Sequence, residues 1–95
     1  MNKEIINQLV ETNSYEYNLL KAAEEMQELA LALIQKVNKP NKVKDKEITD
    51  EIGDVKIRLK ILDKLFDSQV IEERIEYKIN KFKGYLERGE YKSKI

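Results

Sequence analysis

The sequence predicts an all-α protein. Three Gly and one Pro leave few places to turn in 95 residues, 38% of the residues are charged, and apolar residues recur at helical spacing through most of the chain. A chain of this length makes one domain, because a second core would leave each half too short, and it buries only about 60–65% of its unfolded surface. Its core is therefore thin, and self-association is the natural way to bury more. The expectation is a single domain over residues 1–95, an antiparallel helical bundle of about four helices completed by oligomerisation.

Asn2 can cap a short first helix that carries Ile5, Ile6, Leu9 and Val10. Asn13-Ser14 interrupts that helix, which is expected within residues 1–13, and can cap the next. The second helix runs from about Tyr15 to Val37 and stops at the breaker Asn38-Lys39-Pro40-Asn41. Asp45 suits the cap of a third helix, from about Lys46 to Phe66, which Asp67-Ser68 ends. Ser68, with Glu72 and Glu73 in the next turn, suits the positive start of a fourth helix reaching about Glu87, before Gly89. Residues 89–95 read as a loose tail.

The second helix has apolar residues at 19, 23, 26, 30, 33 and 37, and the third at 48, 52, 55, 59, 62 and 66. Alternating steps of three and four are the pattern of helices that pack side by side. The second helix also carries Leu20, Leu29, Leu31 and Ile34 off its stripe. That apolar arc is wider than one helix covers, so a further contact, such as another subunit, is expected over it. Ile71, Ile75, Ile79, Phe82 and Leu86 repeat the pattern in the fourth helix and would close a core of three or four helices.

Composition excludes several functions. Lys plus Arg and Asp plus Glu are 18 each, so no net field draws the chain to nucleic acid or anionic lipid. Cys and His are both absent, which removes disulfides, zinc-finger ligation and Cys or His catalysis. Any metal held by these side chains must be a hard, oxygen-loving ion such as Mg2+, Mn2+ or Ca2+. The N-terminal stretch lacks the features of a signal peptide, and the longest uncharged apolar run, Leu29 to Ile34, is far too short for a bilayer. A cytoplasmic protein with no membrane or direct nucleic-acid partner is expected.

Glu24, Glu25 and Glu28 fall within a window of about 100° on the second helix, since residues three and four apart share a face. Glu51 and Asp54 are one turn apart on the third, at the border of its stripe beside Ile48, Val55 and Leu62. Like charges so spaced oppose the helix by a few tenths of a kcal/mol (about 0.2–0.5), and burying them uncompensated costs more; a divalent cation would compensate. Carboxylates one turn apart also arise on solvated faces, and Asp50, Asp63, Glu72, Glu73 and Glu76 are read that way. Gly53, between the two third-helix acids, costs about 1 kcal/mol relative to Ala, and its plain explanation is a tight helix crossing.

Glu24-Glu25-Met26-Gln27-Glu28 followed by Glu51-Ile52-Gly53-Asp54 resembles the EExxE and ExxD pair of the MazG-like, all-α nucleoside triphosphate pyrophosphohydrolases. That family is related to the dimeric dUTPases and the phosphoribosyl-ATP pyrophosphohydrolases, and the likeness extends from about Leu19 to Arg88. It implies cleavage of a nucleoside triphosphate, ribo or deoxy, between the α and β phosphates to give monophosphate and pyrophosphate. It implies that Glu25, Glu28, Glu51 and Asp54 hold Mg2+, as a pair of ions, with Mn2+ as a possible substitute. Mg2+ would neutralise the phosphates and the charge developing on the leaving pyrophosphate, and would acidify the attacking water. With no His present, Glu24 is the candidate base, its alternative role being a hydrogen bond that orients a metal-holding group.

The family also carries a basic helix after the metal helices, and Tyr77-Lys78-Ile79-Asn80-Lys81 resembles it, with Lys78 and Lys81 as phosphate ligands. Asn80 and Arg88 are possible nucleotide contacts. Many relatives have Arg where this chain has Lys81, Lys83 or Tyr85, a departure in the detail of phosphate recognition. Tyr15, Tyr17 and Tyr77 read as packing residues rather than base-stacking ones, and nothing in the spacing separates pyrimidine from purine. The expected partners are a nucleoside triphosphate and further copies of the chain, as a homodimer or homotetramer. The rival readings are a non-catalytic helical interaction or nucleotide-sensing module and a cation site that serves only stability.

Overall fold

Short polar side chains start three of the four helices in the computed structural model, which describes residues 1–90. Most of the expected loose tail lies outside the described residues. Asn2 Oδ1 accepts from the Ile5 N–H at 3.1 Å and opens α1 (Lys3–Thr12). Ser14 Oγ accepts from the Tyr17 N–H at 3.1 Å and opens α2 (Tyr15–Asn38). Each such cap is worth about 1 kcal/mol. The third and fourth helices are α3 (Asp45–Leu65) and α4 (Ser68–Glu87). Among the described residues the fold is all-α, with no strand, and no helix is long and apolar enough to cross a membrane.

Two expected caps differ. Asp67, not Ser68, caps α4, with Oδ1 accepting from the Gln69 and Val70 N–H groups at 3.0 and 3.2 Å. Asp45 is the first residue of α3 rather than its cap; Lys44 holds the cap position and makes no side-chain cap bond. The reason is Lys36, whose ammonium donates to the Val43 carbonyl at 2.9 Å and pairs with Asp45 Oδ1 at 3.0 Å. That carboxylate therefore turns back to the end of α2. The same ammonium gathers the whole connection around Pro40 and Val43, and Val43 is buried beneath it. At the far end Gly89 takes φ 67°, and N–H groups of Gly89 and Glu90 return to the Leu86 and Tyr85 carbonyls to close α4.

The short connection makes α2 and α3 an antiparallel hairpin, and α1 packs on α3. Ile6, Ala22, Val43, Val55 and Ile61 form the buried apolar core, with Asn18 among them. The face that α2 turns inward is not the expected stripe. Asn18 and Ala22 are buried, and Glu25, Leu29 and Ala32 are half-buried, whereas Ala23, Met26, Ala30, Leu33 and Val37 are exposed. The helix is thus rotated by roughly one residue, or about 100°, from the orientation its richest apolar stripe would choose. The rotation carries Glu25 into the seam.

Helix α4 does not close the core within one chain. None of its residues is buried, and Ile75, Ile79 and Leu86 of its expected stripe are exposed. It leaves α3 at Phe66–Asp67 as an arm, and the chain has a radius of gyration of 16.7 Å where about 12.4 Å is usual for its length. Gly53 meets no tight crossing either, since a Cβ there would find nothing within 4 Å.

Candidate metal centre

The antiparallel pairing of α2 and α3 turns two acidic i, i+3 spacings toward each other. Carboxylate oxygens of Glu25 and Glu28 on α2 and Glu51 on α3 lie within 4.8 Å of one another. The Glu25 side chain is 13% exposed, Glu51 is half-buried and Glu28 is open to solvent. One oxygen of Glu25 and one of Glu51, Oε2 in each, are shut from solvent without a hydrogen-bond partner. Buried acceptors are almost always paired in native proteins. Burial, followed by the like charges of Glu28 and Asp54, pushes the Glu25 pKa above its ordinary value, against the pull of Lys21 and Arg58. A hard divalent cation with oxygen ligands would remove these costs together.

The other expected residues are arranged differently. Asp54 is exposed and outside the converging three, although its charge is felt at Glu25. Glu24 lies at the rim with its side chain 55% exposed, and Oε1 accepts from the Lys21 ammonium at 3.3 Å. Lys78 and Lys81 are on the α4 arm, their ammonium groups over the rings of Phe82 and Tyr85 at 5.2 and 6.0 Å. Asn80 lines a shallow depression with Ile75, Glu76 and Ile79. Arg88 pairs with Glu90 at 3.0 Å and lies over Tyr85 at 5.5 Å. The Tyr15 ring meets that of Phe66 at a tilt of 54°, with centroids 6.2 Å apart, while Tyr15, Tyr17 and Tyr77 are all exposed rather than half-buried.

No protein-family model, curated protein or solved structure matches the chain. The site is therefore read from its own geometry.

Three residues of the seam escaped the sequence reading. Lys21 reaches Glu24 and also Glu25, at 3.8 Å, and its signal was the i, i+3 and i, i+4 spacing. Glu24, by hydrogen bond and by charge, holds the Lys21 ammonium above its ordinary pKa. Arg58, one turn past Asp54, turns a guanidinium nitrogen into the protein. Asn18, only 1% exposed, has neither amide atom paired, and nothing in its neighbours marks it. A hollow of about 780 Å³ lies elsewhere, where α1 meets the end of α3 and the start of α4. Its lining mixes Lys3, Lys60 and Lys64 with Asp63, Asp67 and Glu72, and includes none of the converging carboxylates.

Proposed function

We propose that the chain is a Mg2+-dependent nucleotide pyrophosphohydrolase that cleaves a nucleoside triphosphate between its α and β phosphates. The observation that carries this reading is the convergence of Glu25, Glu28 and Glu51 from two helices, with two buried carboxylate oxygens left unpaired. Glu25, Glu28 and Glu51, with Asp54 beside them, would hold the metal. Bound Mg2+, or Mn2+ in its place, supplies charge neutralisation on the phosphates and acidifies water. Glu24, steadied by Lys21 at the rim, takes the proton of the attacking water. The water oxygen then joins the α phosphorus, the bridging bond to the β phosphate breaks, and pyrophosphate leaves.

The active form in this reading is a homodimer or homotetramer. The chain exposes 7917 Å² where a compact monomer of 11.2 kDa exposes about 5,700 Å². The excess is about 2,200 Å² per chain, so two copies burying it would hide about 4,400 Å² in all, within the range of obligate homodimer interfaces. Much of it is apolar: Leu20, Leu31, Ile34 and Val37 on α2, and Ile75, Ile79 and Leu86 on α4. A second copy would cover these faces, and through it Lys78 and Lys81, with Asn80 and Arg88, would reach a triphosphate. The same faces favour a second reading, a helical interaction or nucleotide-sensing module without turnover.

The test incubates the purified protein with Mg2+ and a panel of ribo- and deoxynucleoside triphosphates and resolves the products. Monophosphate with pyrophosphate, abolished by Glu51→Ala, is expected. Diphosphate with phosphate would break the assignment of the cleaved bond. No product with Mg2+ or Mn2+, from a protein that still binds nucleotide, would favour the sensing module.

A further inference from the structure

The cation that faces the carboxylate seam from α3 is not one of the lysines expected to bind phosphate. Arg58 is one turn beyond Asp54 and two beyond Glu51, so all three share a side of α3. Its residue is half-buried, and Nη1 is closed to solvent without a hydrogen-bond partner. A guanidinium does not shed its proton, so the charge remains and a buried donor stays unpaid. Carboxylates are the obvious partners, yet among the described residues none forms an ion pair with Arg58 within 4.0 Å. It is nonetheless close enough for its charge to act on Glu25. The seam thus carries unpaired acceptors on Glu25 and Glu51 and an unpaired cationic donor on Arg58.

We propose that Arg58 is the anion-binding arm of the carboxylate site and receives phosphoryl oxygens of the ligand whose metal the carboxylates hold. The inference rests on the metal reading above and deepens it. A polyphosphate carrying a divalent cation offers both things the seam lacks, a cation for Glu25 and Glu51 and acceptor oxygens for Arg58. The planar fork of a guanidinium matches two phosphoryl oxygens at once, which an ammonium does not. Lys21 cannot take this part while it is engaged with Glu24 and Glu25. Arg58 acts here as a binding group, and the bond-breaking step needs nothing more from it than a fixed phosphate.

Calorimetry separates this role from a structural one. Mn2+ alone is titrated into wild type, Arg58→Gln and Arg58→Lys, and inorganic tripolyphosphate is then titrated with Mg2+ present. Arg58→Gln should bind tripolyphosphate at least tenfold more weakly while binding Mn2+ as tightly as wild type or more so, because a repelling charge has gone. Arg58→Lys should recover part of the loss. A purely structural arginine would weaken both titrations together and overturn the proposal. Equal tripolyphosphate affinity in wild type and Arg58→Gln, with Mn2+ binding intact, would overturn it and leave the metal reading standing. Citrate binding as tightly as tripolyphosphate would overturn the phosphoryl assignment. Absence of Mn2+ binding to wild type would instead overturn the metal reading, and this inference with it.

Discussion

The Lys21 ammonium stands 3.8 Å from Oε1 of Glu25, on the same helix one turn away, while its shorter contact, 3.3 Å, goes to Glu24. A half-buried carboxylate of the candidate site is thus shared between a resident cation and the other two members of its cluster. The competition between that cation and an incoming one is measurable.

Lys21→Met removes the competing charge and keeps the apolar stem. Mn2+ should bind about two- to fivefold more tightly, the scale of a single exposed ion pair. The same variant should lower turnover if Glu24 needs Lys21 to hold it at the rim. Unchanged Mn2+ affinity by calorimetry would show that Lys21 and the metal do not contend for Glu25.

Glu25→Gln gives the pH dependence. Burial and its acidic neighbours raise the Glu25 pKa in the folded chain, so the folded state holds that proton more firmly than the unfolded one. The wild type is therefore unpenalised below the unfolded carboxylate pKa and loses stability as pH rises through the raised folded value. Without divalent cations, Glu25→Gln should melt higher than wild type at pH 7, by roughly 1–4 °C from relief of like-charge repulsion, and the gain should vanish near pH 4. Thermal melts in chelator across that range check the sign.

Asn18→Leu exchanges the buried amide for an apolar side chain of the same branching. Both amide atoms are unpaired, so the variant should gain about 1 kcal/mol, or roughly 4–8 °C in Tm. A lower Tm would mean that an internal water pairs the amide.

Ile34→Glu puts a charge into the exposed apolar face of α2. Light scattering at micromolar concentration should give wild type the mass of a dimer or tetramer and the variant that of one chain. A monodisperse wild-type monomer would remove the assembly from the proposed function.

Helix boundaries were legible because the chain has few residues that can end a helix, and those few, Asn13-Ser14, Pro40 and Asp67-Ser68, lie where the helices stop. The choice among adjacent cap residues was less so, since Asp45 had a better partner in Lys36 than in its own backbone. The acidic spacing within α2 and α3 was visible, and so was their order. The rotation of α2 was not. A sequence reports where the most apolar surface lies, whereas burial here follows the seam that runs from Asn18 to Ala32 through Glu25 and leaves Leu33 and Val37 in solvent. Arg58 was hidden for a related reason, because an unpaired nitrogen depends on distances between helices, which no spacing along one helix records.

The three converging carboxylates all belong to one helical hairpin, with Lys36 fastening its turn. Neither α1 nor α4 supplies any of them. Hairpins of neighbouring helices form early, because little chain entropy is lost in closing a short loop. The converging carboxylates are therefore all drawn from residues 15–65, a segment whose pairing needs only that short closure. In evolutionary terms the carboxylate set travels with that segment: a gene fusion carrying the hairpin would transplant all three of its members together.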